Sequence, residues 1–322
     1  LRDIPRDAFT DRLVRVGDEE RALRMARRLA PEGRAVAQDR LLLISRAGHG
    51  AADLDSIART LNRFLRFLDT TYDIQPPGHY LTVHLVDSHY AVRQLAADLH
   101  GLDVSEATVG YTFVDDASVV AAVAGTAVGT VLHEMFHLLV RARFGDIPQW
   151  LDEGIASLYE VSGRRGDRYF GLPNWRGRVL ETLWSRRPSV EELIRTEWFL
   201  FDDPEQVAAV ERAGESPHEF LDESEGQRQA ASTAFARYFL LYLEQRGELV
   251  PAFRAIRDSG FATLDGDSRD HAVRLVEAAL GRSAAALDAE FVAWFRSGGP
   301  ERAAAGRGLL VAGAPLYVAT TN

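Results

Sequence analysis

Residues 131–138 read VLHEMFHL, and residues 148–160 read PQWLDEGIASLYE. His133 and His137 are four positions apart, so on a helix both imidazoles lie on one face and can bind a single ion. Glu134 is offset by about 100° around the same helix, so its carboxylate reaches a water beside the ion rather than the ion itself. The pattern predicts a metal-binding helix in which Glu134 is the general base.

The second stretch predicts another helix that supplies the third ligand. Gly145 suits the end of the first helix, and Pro148 suits the first turn of the next. The connection is short, so we expect antiparallel neighbours, with Glu153 returning alongside His133 and His137. Two neutral imidazoles and a carboxylate leave the fourth position of one Zn²⁺ ion open, as a hydrolytic site requires. The alternative is a solvated Glu153 beside two histidines that bind only their neighbours.

Together, HEMFH at 133–137 and WLDEGIA at 150–156 resemble the gluzincin metallopeptidases, and within them the peptidase MA-like group. In that group an HExxH helix is followed by a helix with a glutamate in a W-L-x-E-G-x-A pattern. These two helices carry the specific part of the resemblance, which extends more loosely over Leu41–Arg296. It implies a zincin-like fold, one zinc ion on the two histidines and Glu153, and Glu134 as the catalytic glutamate.

The chain departs from the family pattern at two places. Aminopeptidase gluzincins carry Gly-x-Met-Glu-Asn before the zinc helix, whereas residues 122–126 read AVAGT, so recognition of a free amine is not supported. The group often places a tyrosine early in a later helix, where this chain has Ser232 or Thr233. We therefore predict Tyr238 as the hydrogen-bond donor to the transition state, with a core tyrosine as the alternative. Further options are Tyr159 and His218.

The segments before the metal helix predict a strand hairpin. Val109–Val114 and Ser118–Val123 read as strands joined by a turn at Asp115 and Asp116. In the gluzincin geometry a substrate backbone pairs with the exposed edge of this hairpin, and we place that edge at Ser118–Val123. His84 lies inside another predicted strand, and we expect it to be satisfied by neighbouring groups rather than by a metal.

Hydrophobic periodicity predicts alternating strands and helices in the first half and mostly helices after it. The other predicted strands are Leu41–Ser45 and Tyr80–Val86. The predicted helices are Asp18–Ala30, Ala51–Tyr72, His89–His100, a run from Gly125, Pro148–Glu160, Gly177–Trp184, Val190–Arg195, Gln229–Arg246, Leu249–Ser259, His271–Leu280 and Ala284–Arg296. A loop that contains a short helix is predicted at Asp202–Glu225. The fold class is α+β: a small mixed sheet with helices, active-site helices at the seam, and a mostly helical C-terminal half. The predicted parts are an N-terminal α/β part at 1–124, a zinc-binding helix pair at 125–165 and a helical part at 166–322.

Composition narrows the possible functions. The 322 residues are 46% hydrophobic and 26% charged, as in soluble globular proteins. The net charge of −10 argues against a nucleic-acid partner, which needs a basic face. Cysteine is absent, which excludes disulfides, thiolate zinc sites and cysteine nucleophiles. The apolar run Val119–Leu132 is shorter than the roughly 20 residues of a transmembrane helix, so we expect no membrane-spanning segment.

These observations predict a zinc-dependent metallopeptidase with a peptide or protein substrate. Two alternatives stay open: a catalytically silent relative that acts as a binding or structural module, and a hydrolase of non-peptide amides.

The start at Leu1 rather than Met leaves two explanations, a removed secretory signal or trimming of the sequence. A secreted or periplasmic location is favoured over a cytoplasmic one. Cleavage specificity and oligomeric state are not predicted.

Overall fold

A mixed five-stranded sheet organises the first half of the chain. The computed structural model describes residues 4–195, 223–260, 266–301 and 310–311. The strands of the sheet are β1 (Arg34–Gln38), β2 (Leu41–Ser45), β3 (Leu81–Val86), β4 (Gly110–Phe113) and β5 (Ser118–Ala122). They lie in the order β1-β2-β3-β5-β4, with β2, β3 and β5 parallel and with β1 and β4 antiparallel at the two ends. The α+β class and the mixed sheet are therefore confirmed.

The strand at the end of the sheet next to β5 is β4, and this corrects a prediction. Val119 of β5 lies opposite Val83 of β3 on one side and Thr112 of β4 on the other. The expectation that Ser118–Val123 forms the exposed edge is wrong. Its apolar run Val119–Ala121 is fully buried, which suits a strand covered on both faces, whereas β4 is only partly buried.

Helices pack on both faces of this sheet. They are α1 (Arg6–Thr10), α2 (Glu19–Leu29), α3 (Ala51–Tyr72), α4 (His89–Leu95), which continues as a π-helical turn (Ala96–His100), and α5 (Gly129–Phe144). The side chains of Ile44, Val86 and Val120 pack on one face beneath α2 and α4. On the opposite face α5 packs against β4 and β5, so the helix with the HExxH motif lies directly against the edge strand.

A buried polar cluster holds the turn between β4 and β5. Asp116 accepts hydrogen bonds from Arg12 Nη1 at 2.9 Å and from His100 Nε2 at 3.0 Å. Ser118 Oγ donates to the other carboxylate oxygen, and the Tyr111 hydroxyl and His100 Nδ1 share a hydrogen bond of 2.7 Å. Burial raises the pKa of Asp116, but these hydrogen bonds outweigh it and hold the pKa below its ordinary value. The cluster fixes β4 against β5 and so positions the strand beside α5.

Contacts divide the chain into two compact units. Of the described residues, one unit holds those within Leu1–Gly145, Ser162–Tyr169 and Leu310–Asn322, and the other unit holds those within Asp146–Val161 and Phe170–Leu309. The described helices of the second unit are α6 (Gln149–Glu160), α7 (Arg176–Thr182), a 3₁₀ turn (Trp184–Arg186), α8 (Val190–Arg195), α9 (Glu223–Gln245), α10 (Leu249–Asp258), α11 (Gly266–Leu280) and α12 (Ala284–Arg296). The long helix α9 packs along α6 and α7. The three-part division at 1–124, 125–165 and 166–322 stays a prediction.

Several short elements were not predicted. Strands β6 (Ser162–Arg165), β7 (Arg168–Gly171) and β8 (Leu310–Val311) form a second sheet in the order β7-β6-β8. These strands, like β1 and α1, are short, and most carry charges that break any apolar alternation. By contrast, β2 and α3 have the predicted bounds. The predicted loop at Asp202–Glu225 lies outside the described residues, apart from 223–225, which are helical.

Candidate metal centre

Helix α5 brings two imidazole nitrogens to one point. The Nε2 atoms of His133 and His137 are 3.0 Å apart, and the ring planes are inclined by 77°. Two nitrogens on a tetrahedral zinc ion with bonds of about 2.05 Å stand about 3.3 Å apart. The observed separation therefore differs from that of a chelating pair by only a few tenths of an ångström. His137 is buried, and His133 is half-buried.

Helix α6 carries Glu153 and is fixed by apolar packing. Trp150, Ile155 and Leu158 are buried, whereas Glu153 is half-buried. The next residue, Gly154, packs against α9: a Cβ added there would lie 2.6 Å from Leu240 Cδ1. A side chain at position 154 would displace Leu240, so glycine suits this close approach of the two helices, and α6 is packed directly on α9.

The predicted ligands meet. His133, His137 and Glu153 each offer one ligand atom, and these atoms all lie within 4.8 Å of one another. Two imidazole nitrogens and one carboxylate oxygen form a donor set that catalytic zinc sites use, with one coordination position left open. The chemistry of the donors and their separation fit a single zinc ion, given small side-chain adjustments.

The side chain of Glu134, a residue of α5, lies against the edge strand β4. Its side chain is buried, with 8% of its surface exposed, and Thr112 Oγ1 donates to its backbone carbonyl at 2.6 Å. Gly110 of β4 packs on the side chain itself: a Cβ added to Gly110 would lie 3.1 Å from Glu134 Cγ. The predicted base is thus held against the sheet edge.

The open side of β4 presents backbone hydrogen-bonding groups next to Glu134. The Ala122 amide donates to the Val109 carbonyl at 2.8 Å, so Val109 faces β5. Because antiparallel strands alternate, the N–H and C=O groups of Gly110 and Thr112 point away from β5. Among the described residues β4 has β5 as its only strand partner. An extended peptide could therefore pair with Gly110 and Thr112.

Tyr238 has the contacts of a core tyrosine. On α9, its hydroxyl accepts from the Asn174 amide at 3.1 Å and donates to the Asn174 carbonyl at 3.0 Å. Burial raises its pKa. The ring lines a cavity of about 520 Å³ in the second unit together with Trp184 and Phe295. Its role as a transition-state donor stays a prediction.

The further option Tyr159 and Thr233, one of the residues at the place of the family's tyrosine, both donate hydrogen bonds to other protein groups. The Tyr159 hydroxyl donates to Glu244 Oε1 at 3.4 Å, and Thr233 Oγ1 donates to the Gln229 carbonyl at 3.0 Å. His218 lies outside the described residues. His84 is satisfied locally, as predicted, since Arg46 Nη1 donates to its Nδ1 at 3.1 Å.

Gly110 and Thr112 were missed as site residues, although one signal was present. A glycine inside a predicted strand indicates close approach of another backbone or ligand, and Gly110 lies inside the predicted strand Val109–Val114. The contact of Thr112 with Glu134 of α5 joins residues 22 positions apart, and no local sequence pattern predicts it.

Comparison with protein-family models gives no match, and comparison with curated proteins gives none either. No helix in the described part of the chain has both the length and the hydropathy to cross a membrane. The residues of the site are therefore the basis on which a function is proposed.

Proposed function

We propose that this chain is a zinc-dependent metallopeptidase of the gluzincin type with a zincin-like fold. The observation that carries the proposal is the convergence of His133, His137 and Glu153, whose ligand atoms lie within 4.8 Å of one another. A zinc ion bound there would lower the pKa of a water toward neutrality and polarise a carbonyl oxygen. The remaining parts of the reaction are assigned to residues of the chain.

Glu134 is the proton carrier. Its buried carboxylate follows directly after the ligand His133, so it can take a proton from the attacking water and deliver it to the leaving amine. Thr112 and Gly110 hold the Glu134 segment against β4, which limits the movement of the base. Such positioning is a large part of what a hydrolase contributes beyond the metal.

Strand β4 binds the substrate. The outward N–H and C=O groups of Gly110 and Thr112 pair with an extended peptide as an added strand. Val109 and Val114, which flank β4, are exposed apolar residues and extend this surface at both ends. A peptide bound there runs past Glu134, so the strand sets which bond faces the base.

The test is the substitution Glu134→Gln. We expect the wild-type chain to contain about one zinc per molecule and to cleave members of a proteome-derived peptide mixture. The variant should keep its zinc and lose roughly 10²- to 10⁴-fold in kcat/KM, the usual contribution of a general acid–base. Glu106→Gln is the matched control, because Glu106 is an exposed carboxylate paired with Arg93. Full activity in Glu134→Gln, or a wild-type chain that binds no zinc, would refute the proposal.

One observation favours a second candidate, a catalytically silent zinc-binding module. Both hydrogen-bonding functions of the Tyr238 hydroxyl are used by the Asn174 backbone, which leaves the transition-state donor unassigned. The same experiment separates the candidates: stoichiometric zinc without cleavage of any peptide in the mixture supports the silent module.

A further inference from the structure

Arg237 is a charged side chain in an unusual place. It is 0% exposed, inside the second unit on α9. Its Nη2 donates to the carbonyl of Val161 at 3.2 Å and to the carbonyl of Leu172, while among the described residues Nε and Nη1 have no hydrogen-bond partner. Burial lowers its pKa to about 10, so it remains charged at neutral pH. A buried cation with unused donors is costly, and this cost requires an explanation.

One of the two carbonyls that Arg237 contacts, that of Val161, lies at the end of α6, the helix that carries Glu153. Val161 directly follows α6, and its carbonyl also accepts from the Leu172 amide at 3.0 Å. The last carbonyls of a helix lack partners within the helix and carry partial negative charge. The Arg237 guanidinium gives the Val161 carbonyl, just past the last helical residue of α6, a second hydrogen bond. Through its bond to the Leu172 carbonyl it also ties together the two points, Val161 and Leu172, between which the chain forms β6 and β7.

Helix α9 therefore holds α6 at more than one place. Gly154 packs against Ala236 and Leu240 near the middle of α6, and Arg237 binds Val161 at its end. These contacts fix the rotation of α6 about its axis. A carboxylate at the surface of a helix is about 5–6 Å from the axis, so a rotation of about 10° moves it by about 1 Å. Metal–ligand distances tolerate only about 0.2 Å.

We propose that Arg237 is a positioning residue for the metal ligand Glu153. It fixes the C-terminal end of α6 and thereby the direction in which Glu153 points. The inference rests on the proposed metal centre and adds a residue that touches neither the metal nor the substrate.

The test is a double-mutant cycle that measures zinc affinity by competition with a chelating dye. The variants are Arg237→Met, Glu153→Gln and the combination of both. If Arg237 acts through Glu153, Arg237→Met weakens zinc binding by about 10-fold or more in the chain that has Glu153, the effect typical of residues that orient ligands. In the Glu153→Gln background the same substitution has no further effect, because the ligand that it positions is absent.

Arg187→Met is the matched control. Arg187 is a largely buried guanidinium of the same unit, and its Nη1 and Nη2 atoms pair with Asp288. Its loss disturbs the packing of the unit without removing a contact to α6, so zinc affinity should not change. Arg237→Lys keeps the charge and should lose less affinity than Arg237→Met. It also provides a measurement if the methionine variant does not fold, which circular dichroism detects.

The outcomes separate the two proposals. No zinc binding by the wild-type chain overturns the proposed function, and with it this inference. Zinc binding that is unchanged in Arg237→Met and Arg237→Lys overturns the inference alone. So does an equal loss of affinity with and without Glu153, or an equal loss in Arg187→Met, because Arg237 would then support only the general packing of its unit.

Discussion

A single methyl group on Gly110 tests the contact between the edge strand β4 and the proposed base Glu134. In Gly110→Ala the new Cβ would lie 2.8 Å from Thr130 Cγ2, 3.1 Å from Glu134 Cγ and 3.1 Å from the Val120 carbonyl oxygen. Favourable carbon–carbon contacts lie at about 3.5–4.0 Å. The first two distances are therefore short by at least about 0.7 Å and 0.4 Å. The Val120 carbonyl belongs to the inner strand β5 and cannot move away.

The three contacts differ in how they can be relieved. Thr130 can turn its methyl group away, because threonine on a helix divides between two rotamers. Glu134 has to move, by about 0.4 Å at Cγ and by more at the carboxylate. Overpacking of this kind costs about 1–3 kcal/mol of stability. Misplacement of a catalytic group by about 1 Å costs roughly 10²-fold in rate, so we expect about a 10-fold loss in kcat/KM.

Three quantities are measured on each variant: the free energy of unfolding, the zinc content, and kcat/KM on a peptide that the wild type cleaves. Gly110→Ala should lower the free energy of unfolding and kcat/KM. It should leave the zinc content unchanged, because Glu134 is not one of the proposed ligands. Adding Thr130→Ala removes the closest contact, so the double variant should regain most of the stability but not the activity. Gly78→Ala is the control glycine, since a Cβ there has no neighbour within 4 Å. A Gly110→Ala chain that is destabilised but keeps full kcat/KM would refute the assignment of Glu134 as the base.

Two further predictions concern packing and pH. Gly154→Ala gains up to about 1 kcal/mol of helix propensity but places a Cβ 2.6 Å from Leu240 Cδ1. We therefore expect a net loss of stability, which the second substitution Leu240→Val partly restores. A single variant more stable than the wild type would contradict the close packing of α6 on α9. Burial and the positive charge of Arg46 lower the pKa of His84 in the folded chain to about 3. In the unfolded chain the pKa of His84 is near 6.5, so as the pH falls the unfolded state takes up this proton first. The stability due to neutral His84 is complete above about pH 6.5 and falls as the pH decreases toward 3, by about 2 kcal/mol at pH 5. His84→Gln should remove this part of the pH dependence of unfolding, and an identical dependence in both proteins would show that His84 is not buried neutral.

The parts of the fold that the sequence predicted are those with a strong local signal. Helix α3 repeats its apolar residues over 22 positions, and β2 is five apolar or small residues in a row. The grouping of the proposed metal ligands was predictable for the same reason. Spacing on one helix places His133 and His137 together, and the flanking Trp150 and Gly154 mark the helix of Glu153.

The parts that were missed depend on partners far along the chain. The order of strands in a sheet follows from which strands pair, and a hairpin alone does not decide whether Ser118–Ala122 or Gly110–Phe113 is outermost. A charged residue is normally expected at the surface, so no pattern predicted that Arg237 is buried. The hydroxyl of Tyr238 meets the backbone of Asn174, 64 positions away, and its hydrogen bonds were equally unpredictable.

In the proposed function, strand β4 meets two requirements that an inner strand could not meet. A strand that binds a peptide needs unpaired N–H and C=O groups on one side, which only a sheet edge provides. A strand that also holds the base needs close contact with α5, and Gly110 supplies this contact because a side chain there would collide with Thr130 and Glu134. Placing β4 antiparallel outside β5 satisfies both at once. If the proposed function is right, the register of the bound peptide and the position of Glu134 are set by the same four residues, so changes in β4 should alter cleavage position and rate together.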